Sequence, residues 1–540
     1  MPDPTLCVLT QHNDNGRTGA YLQETQLNTS NVNQNQFGHL FTFQVQGHVY
    51  AQPLYVNGID IPGQGTHNVV YIVTMHNTVY AFDADDPNAA ISPLWARQLE
   101  VSVPLPDPNI GPTHQGQAVF NGQPVYRDIA NEVGIISTPV ISLDHNALYV
   151  VTFTRVERGY AHKLHALDLA SGSDLFGGPV QIAGNVAGTG YDNQNGNIVF
   201  VGNRQIQRPA LLLLNDVVYL AFASYGDQDN YHGWVFSHNA TTLQREAIYN
   251  TTRNGQEGGI WQAGQGLAAD SDNYIYLMTG NGTYTNDGRD VGCTIVKLNP
   301  NLTISDWFTP HNVADLNAHD ADLGSSGVLL IPDTNLLLGG GKESKFYLVQ
   351  RDKMGHFNAA NDSQIVQSFY VCLPDNPQIP LTLDPAHTHN IHGGAVYWNG
   401  SNGPCIYVWV ENDCLKVYQF DGTTFQSTPM SKGSTISPGM PGGMLSISAN
   451  GNTPGTGIVW ASHPLSNANQ AVVGGMLHAY DAADLTNELW NSRQNPNRDD
   501  YGNFGKFCAP TIANGKVYMA TFSDKVMVYG LLSQSGNGSN

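Results

Sequence analysis

The chain has 540 residues, only 12% of them charged, and its formal net charge is −21. Because nucleic-acid binding needs a basic face, and no cluster of Lys or Arg supplies one locally, the charge excludes that class of partner. No apolar run approaches the ~20 residues that a membrane-spanning helix needs.

The first residues, "MPDPTLCVLT", lack the basic and apolar parts of a signal peptide. Two interpretations follow: a cytosolic protein, or a secreted or periplasmic protein whose leader is absent from this chain. The low Lys content and the Asn/Thr/Gly-rich composition favour the second. Glycosylation sequons at Asn239, Asn281 and Asn301 agree with it.

The six cysteines lie far apart and form neither a C-x-x-C motif nor an adjacent pair: Cys7, Cys293, Cys372, Cys405, Cys414 and Cys508. This spacing excludes cysteine-type metal sites and covalent haem attachment. We expect buried thiols, with one or two disulfide bridges at most.

Along the chain, one strand pattern recurs eight times. Each copy opens with small or polar residues, becomes apolar, turns at Asn, Asp or Gly, and continues into a second β-rich run. The copies begin near His48, Ile135, Arg208, Trp261, Asp322, His392, Met444 and Lys506. Their spacing of roughly 65 residues is long enough for four strands and their loops.

The second half of the repeat carries its own signature, a strand, an Asp turn and another strand. It is clearest in "TVYAFDADDPNAAISPLWARQLE" (Thr78 to Glu100) and in "MLHAYDAADLTNELWNS" (Met476 to Ser492). The pattern "VYAFDA…LW" resembles the repeat of the pyrroloquinoline-quinone (PQQ) enzyme propellers, the quinoprotein alcohol dehydrogenase-like superfamily. The segment from Thr10 to Phe43 also resembles the part that precedes the first blade in that family.

The resemblance and the eight repeats predict an all-β fold, a single eight-bladed β-propeller with seven blades as the fallback. We expect residues 1–37 to hold a lead-in and a closing strand, residues 38–532 to form the propeller and residues 533–540 to be a disordered tail. The last repeat lacks an outer strand, and "LCVLTQ" (Leu6 to Gln11) is the predicted replacement.

In a propeller, the predicted strand starts would converge on the central channel. The resulting rim would gather His48, Arg208, Trp261, Asp322, His392 and Lys506. A carboxylated quinone such as PQQ needs cations, which Arg208 and Lys506 could supply. Trp261 could provide a stacking floor and His48 a further contact. Polar strand starts that simply face solvent in a wide channel are the alternative.

His392 and Asp322 are the candidate catalytic residues, because either could take a proton from an alcohol. Asp320 and Asp322 are the candidate ligands for Ca²⁺, a hard cation that prefers oxygen. The sequence also departs from the family. The adjacent cysteines of the alcohol dehydrogenase branch are missing, and its calcium ligands cannot be mapped residue by residue.

The stretch "HTHNIHGG" suggests a different metal. His387, His389 and His392, with His48 or Gln262, could hold Mn²⁺ or Zn²⁺, as in propeller polysaccharide lyases. The glycine-rich "GGGKES" (Gly339 to Ser344) lacks P-loop spacing and is interpreted as a hairpin turn.

Three functions follow in order of preference. The first is a secreted quinoprotein-type oxidoreductase that uses PQQ and Ca²⁺ on a small alcohol or sugar. The second is a non-catalytic scaffold without a cofactor that binds glycans or other proteins. The third is a metal-dependent polysaccharide lyase.

Overall fold

The computed structural model describes residues 2–88, 92–111, 119–120, 123–124, 126–227, 231–372 and 388–533. Eight sheets of four or five strands follow one another along the chain, which confirms the predicted eight-bladed β-propeller. Alternating apolar residues, ending at Asn, Asp or Gly turns with positive φ such as Asn146 and Asn514, produce these hairpins.

The first four blades occupy the N-terminal half. Blade 1 contains the strands Leu54–Ile61, Gly65–Val73, Thr78–Asp83 and Trp95–Gln98. Blade 2 contains Val140–Ser142, Ala147–Val156, Gly159–Asp168 and Val180–Gln181. Blade 3 contains Gln205–Ile206, Leu212–Leu214, Val217–Ser224, Trp234–Asn239 and Arg245–Asn250. Blade 4 contains Ala268–Ala269, Ile275–Met278, Ile295–Leu298, Ile304–Thr309 and His356–Phe357.

The remaining blades complete the ring. Blade 5 contains Leu329–Leu330, Leu336–Gly340, Lys345–Gln350 and Gln367–Tyr370. Blade 6 contains Val396–Gly400, Gly403–Val408, Cys414–Gln419 and Ser431–Ile436. Blade 7 contains Met444–Ser448, Ile458–Pro464, Gly475–Asp481, Glu488–Asn491 and, parallel to its first strand, Ala20–Tyr21. Blade 8 contains Thr511–Ala513, Lys516–Ala520, Lys525–Leu531 and Phe37–Gln44.

The described residues contain little helix. Some of the irregular loops contain short pairs of strands. Helices in the described ranges include Pro4–Leu6 and Leu323–Ser325 (both 3₁₀) and Val313–Ala318 and Pro496–Asp499 (both α). The minor pairs are Val103–Pro104 with Glu132–Val133, Val119–Phe120 with Gln123–Pro124, and Asn185–Ala187 with Asn197–Val199. In the described part of the chain, no helix has both the length and the apolar character needed to cross a bilayer.

The ring is closed by a different strand from the one predicted. Phe37–Gln44 pairs antiparallel with Lys525–Leu531 and forms the outer strand of blade 8. Leu6 to Gln11 does not take that place, and Val8 instead forms a bridge with Tyr55 of blade 1. The phenylalanines of Phe37–Gln44 explain the choice, because Phe37 and Phe43 are fully buried in the core shared by blades 7, 8 and 1.

The N-terminal segment Val8–Gly19 lies in the central channel. Its backbone is hydrogen-bonded to residues of the first strands of six blades: Tyr55, Ile141, Ala269, Leu330, Tyr397 and Ile447. Only a segment on the axis can reach so many blades, so the first strands line the channel. The fully buried Arg17 anchors the segment by donating to the carbonyls of Leu267 (2.8 Å) and Gln11 (2.7 Å).

None of the six cysteines forms a disulfide bridge, and all except Cys372 are buried. The expected one or two bridges are therefore not formed. The sequon residue Asn281 is buried as well, at 9% exposure, whereas Asn301 is exposed.

Candidate ligand site at the channel mouth

The predicted rim residues lie in the turns that lead into the innermost strands, rather than at the strand starts. Each predicted rim residue precedes the channel-lining strand of its blade by four to seven residues: His48, Arg208, Trp261, Asp322, His392 and Lys506. Turn backbone at this position lets a side chain point across the channel mouth instead of into the layers between blades.

Arg208 is held between two aromatic rings. Its guanidinium carbon lies 5.4 Å from the ring centroid of Trp261 and 5.0 Å from that of Phe507. Stacking of this kind favours Arg because the guanidinium is planar and weakly hydrated. Within the described residues, Arg208 has no hydrogen-bonded or ion-paired acceptor. Among the described residues, the guanidinium thus has no carboxylate within ion-pair distance.

Lys506 adds a second cation beside the first. Its Nζ donates to the backbone carbonyls of Asp128 (2.8 Å) and Asn469 (2.7 Å), and it lies 5.6 Å from the ring centroid of Phe507. Burial lowers the pKa of Lys506 to about 8; the charge of Asp128 opposes this and that of Arg208 adds to it. Lys506 is therefore a titratable positive charge next to Arg208.

The two predicted histidines belong to the walls. The ring of His48 stacks on Phe522 at a centroid distance of 4.7 Å, and burial lowers its pKa. His392 Nε2 lies 2.9 Å from Glu411 Oε1, and its ring is 6.1 Å from that of Phe507. The carboxylate of Glu411 thus faces the nitrogen that a catalytic base would use.

A third cation, Lys342, is paired with the predicted Asp320 and Asp322. Its Nζ is 2.7 Å from Asp322 Oδ2 and 3.1 Å from Asp320 Oδ1. The side chain of Asn281 donates to Asp320 Oδ1 (3.0 Å). The backbone N–H of the same residue donates to Asp322 Oδ1 (2.8 Å). We call Asp320, Asp322, Lys342 and Asn281 the Lys342 cluster.

Gly280 brings this cluster against Trp261. A Cβ atom at residue 280 would lie 2.3 Å from Asp322 Oδ1 and 2.8 Å from Trp261 Cδ1. A side chain at residue 280 would collide with both groups. Because glycine has no side chain, the Asp322 carboxylate and the Trp261 indole can both lie close to this position. Arg208, Trp261 and Asp322 therefore form one continuous surface.

Two carboxyl groups on this side of the channel mouth have raised pKa values. Desolvation, together with the charge of Asp322, raises the pKa of Asp320 to about 7. Desolvation and Asp322 likewise raise the pKa of Asp227 to about 6. Because these carboxyl groups interact, their protons leave as a coupled set, and the set can exchange protons near neutral pH.

A recess opens beneath Arg208 on the channel axis. Its free volume is about 20 Å³, room for about one water molecule. Its lining comes from five blades and from the N-terminal segment: Gln11, Tyr50, Ile136, Thr138, Arg208, Ala210, Gly264, Gln265 and Phe507.

Sequence reasoning missed Phe507, Lys342, Gln11 and Gln265. Phe507 follows the predicted Lys506 directly, so the repeat alignment could have found it. Lys342 lies in "GGGKES", which is the expected turn, but nothing in a turn sequence shows that its lysine reaches Asp320 and Asp322.

Among the described residues the predicted metal ligands make other contacts, and the metal sites stay predictions. His389 Nδ1 contacts the carbonyl oxygen of Glu411 at 3.0 Å, and His387 lies outside the described residues. Between Asp320 and Asp322, Lys342 holds the position that a cation would take. No group of three or more His, Cys, Asp or Glu side chains in the described ranges is arranged to hold a metal ion.

The fold matches solved quinoprotein structures. No protein-family model matches the sequence, and neither does any curated protein. A quinohemoprotein alcohol dehydrogenase of Pseudomonas putida has a TM-score of 0.61 at 13% identity, covering 99% of this chain and 82% of that one. The quinohemoprotein alcohol dehydrogenase of Comamonas testosteroni has a TM-score of 0.60 at 14% identity, with coverage of 99% and 82%.

A europium-containing methanol dehydrogenase gives a TM-score of 0.56 at 14% identity and covers 98% of both chains. At these identities the likeness concerns the fold, and it confirms the resemblance to the PQQ-like propellers. The chain is therefore an eight-bladed propeller whose fold is similar to that of these solved dehydrogenase structures.

Proposed function

We propose that this protein is a quinoprotein-type oxidoreductase that binds PQQ at the channel mouth and oxidises a small alcohol. The observation that carries the proposal is Arg208, a guanidinium stacked between Trp261 and Phe507 with no anionic partner among the described residues. Support also comes from the solved structures of like fold, which are alcohol and methanol dehydrogenases.

The residues present fit a flat polycarboxylate. Arg208 and Lys506 would pair with its carboxylates, and Trp261 would stack on its rings. The indole Nε1 of Trp261 is buried without a hydrogen-bond partner in the described part of the chain, so an acceptor on a ligand would satisfy it. When bound, PQQ supplies an ortho-quinone that accepts two electrons from an alcohol.

The chain itself would handle the proton. Asp322 Oδ1 lies near the edge of the Trp261 indole, with Gly280 between them, where an alcohol bound over the indole could present its hydroxyl. We assign proton uptake to Asp322, and the neighbouring Asp320, whose pKa is raised to about 7, can exchange a proton near neutral pH. His392, the other candidate base, faces Glu411 and is assigned to the wall.

Calcium fits this arrangement less well. The two carboxylates that would bind Ca²⁺ are already neutralised by Lys342, whose ammonium lies between them. We therefore assign the compensation of charge at this place to Lys342, and the experiment compares preparations with and without Ca²⁺.

Reconstitution tests the proposal. Purified protein is mixed with PQQ, with or without Ca²⁺, and dye reduction is followed over a panel of alcohols and sugars. We expect reduction with small alcohols, lost in Asp322→Asn although PQQ still binds, and retained in the control Asp421→Asn, whose carboxylate is exposed. No dye reduction with any substrate, despite bound PQQ, would contradict the enzymatic role.

A ligand-binding scaffold is the second candidate. It is favoured by the pairing of Lys342 with both carboxylates, because the ammonium of Lys342 neutralises the charge of Asp322, the candidate base. Retained PQQ or glycan binding without turnover would support it.

We also propose that the protein acts outside the cytoplasm. The low Lys content and the exposed sequon at Asn301 support this placement. Mass spectrometry of the protein recovered from its native host, together with cell fractionation, tests it. Recovery only from the cytosolic fraction would contradict it.

A further inference from the structure

The recess on the channel axis is small and polar. Its free volume of about 20 Å³ leaves room for a species of the size of one water molecule. Polar side chains from three turns, Thr138, Arg208 and Gln265, line it together with Gln11 of the N-terminal segment. Gln11 is 3% exposed and Gln265 is 1% exposed. The recess therefore suits a ligand of single-atom size that can interact with a charge and with buried amides.

Several hydrogen-bond donors of the recess are available to such a ligand. Gln265 Nε2 is buried without an acceptor in the described part of the chain. Gln11 Nε2 donates to the backbone carbonyl of Gly264, and an amide nitrogen carries a second hydrogen. The hydroxyl of Thr138 accepts from the backbone N–H of Gln52 (2.9 Å), which leaves its own hydrogen for the recess. Together with the guanidinium of Arg208, these groups make the lining rich in donors.

The recess also contains amide oxygens, which a water molecule would suit. Gln11 Oε1 and Gln265 Oε1 are both buried without a partner in the described ranges. The Gln265 oxygen lies against bare backbone, since Cβ atoms at Gly327 and Gly394 would lie 2.4 Å and 2.6 Å from it. A water molecule would leave the charge of Arg208 uncompensated, however, so the charges have to decide between water and an anion.

The charges near the recess favour an anion. The charges of Arg208 and Asp128 both act on Lys506, so two cations share one neighbouring carboxylate. That carboxylate forms no ion pair with either cation among the described residues, and its Oδ1 accepts from Gln470 Nε2 (3.3 Å). One positive charge is thus in excess. In a partly desolvated site, the attraction between opposite charges outweighs an amide oxygen that stays unpaired.

We propose that, in the protein without a larger ligand, the recess binds a single halide ion, held by Arg208, Gln265 and Thr138. Chloride is close to water in size and fits the free volume, whereas a carboxylate or a phosphate does not. The inference goes beyond the proposed function, because it assigns a separate inorganic ligand to the recess. Since a larger anion would share Arg208, the experiments contain no PQQ.

Diffraction with bromide tests the site directly. Bromide resembles chloride in charge and shape and scatters anomalously, so a crystal of the protein grown with sodium bromide reveals where the ion binds. We expect an anomalous peak in the recess, within hydrogen-bond distance of Gln265 Nε2 and the guanidinium of Arg208. Peaks found at other places alone would mean an adventitious ion only, and would rule out the proposed site.

Thermal melting tests binding in solution. Sodium bromide or chloride replaces sodium gluconate at constant ionic strength, because gluconate is too large for the recess. The melting midpoint should rise with halide concentration and then saturate, since a ligand that binds the folded state stabilises it. Equal midpoints in halide and in gluconate would mean that the recess holds water, and the inference would be wrong.

Variants assign the response to the recess. Gln265→Leu and Thr138→Val each remove a donor, and Gln265→Leu should raise the half-saturating halide concentration at least about tenfold, Thr138→Val about fivefold. Arg208→Ala should abolish the saturable response. The matched controls are Gln23→Leu and Arg289→Ala, both at exposed residues, and both should respond as the unmodified protein does.

A substitute variant keeps the test decisive if Gln265→Leu does not fold. Gln265→Glu introduces a carboxylate that repels a halide, so the saturable response should again be lost. A response that survives in the variants of Arg208 and Gln265 would overturn the inference. Failure of the protein to bind PQQ would contradict the proposed function and leave the halide site standing.

Discussion

Two cations in the neighbourhood of Trp261 are in opposite states. Arg208 stacks on the indole, 5.4 Å from the ring centroid, and finds no anion among the described residues. Lys342 is paired with two carboxylates at 2.7 Å and 3.1 Å. The difference supports the proposal that the protein neutralises Lys342 internally and that Arg208 binds a ligand.

Removing Lys342 should have the largest effect, and it should be on stability. Lys342→Met leaves the mostly buried Asp322 and the half-exposed Asp320 without their counter-ion, and breaking this partly buried group costs about 2 kcal/mol. The midpoint of urea unfolding measures the loss.

The control for Lys342 is Lys516→Met, which breaks a single ion pair with the half-exposed Asp85 and should cost under about 1 kcal/mol. Equal shifts for the two variants would show that the Lys342 cluster is not a compensated unit.

Arg208→Lys should affect binding rather than stability. The charge is kept, but the planar group that stacks between Trp261 and Phe507 is lost, so PQQ should bind roughly tenfold more weakly. Calorimetry gives the dissociation constant. Arg155→Lys, whose guanidinium pairs with Asp107 of the same chain, should leave binding unchanged. An unchanged affinity in Arg208→Lys would argue against a stacked site.

The smallest effect concerns pH and Lys506. Its pKa of about 8 means that its ammonium is charged below pH 8 and loses its proton as the pH rises through 8. An anionic ligand prefers the charged form, so PQQ affinity should fall about threefold between pH 7 and pH 9.

Lys506→Met should flatten that profile, while Arg208 keeps its charge throughout the range. If the variant shows the same fall in affinity as the unmodified protein, another group is responsible for it.

The fold was predictable because each blade repeats the same local sequence pattern. Apolar alternation that ends at an Asn/Asp-Gly turn forces a hairpin, and eight copies close a ring. The rim positions followed from aligning those copies. Arg208 and Trp261, predicted from different blades, are in contact for this reason.

The remaining parts depend on contacts that no repeat encodes. The closing strand was predicted at the wrong segment, Leu6 to Gln11. Phe37–Gln44 takes this place because its phenylalanines become buried, and the periodicity of a sequence does not show how deeply a side chain is buried. Lys342, Gln11 and Gln265 escaped notice for a related reason. Each acquires its partner or its exposure to the recess only when distant segments meet on the channel axis.

The central claim is that Arg208 binds a planar anionic ligand. Calorimetric titration of PQQ into the purified protein tests this claim most directly. The account predicts saturable binding at one site per chain, weakened at least about a hundredfold in Arg208→Ala, because a charge-assisted pair in a desolvated site is lost. No measurable binding to the folded, unmodified protein, or equal binding to Arg208→Ala, would contradict it.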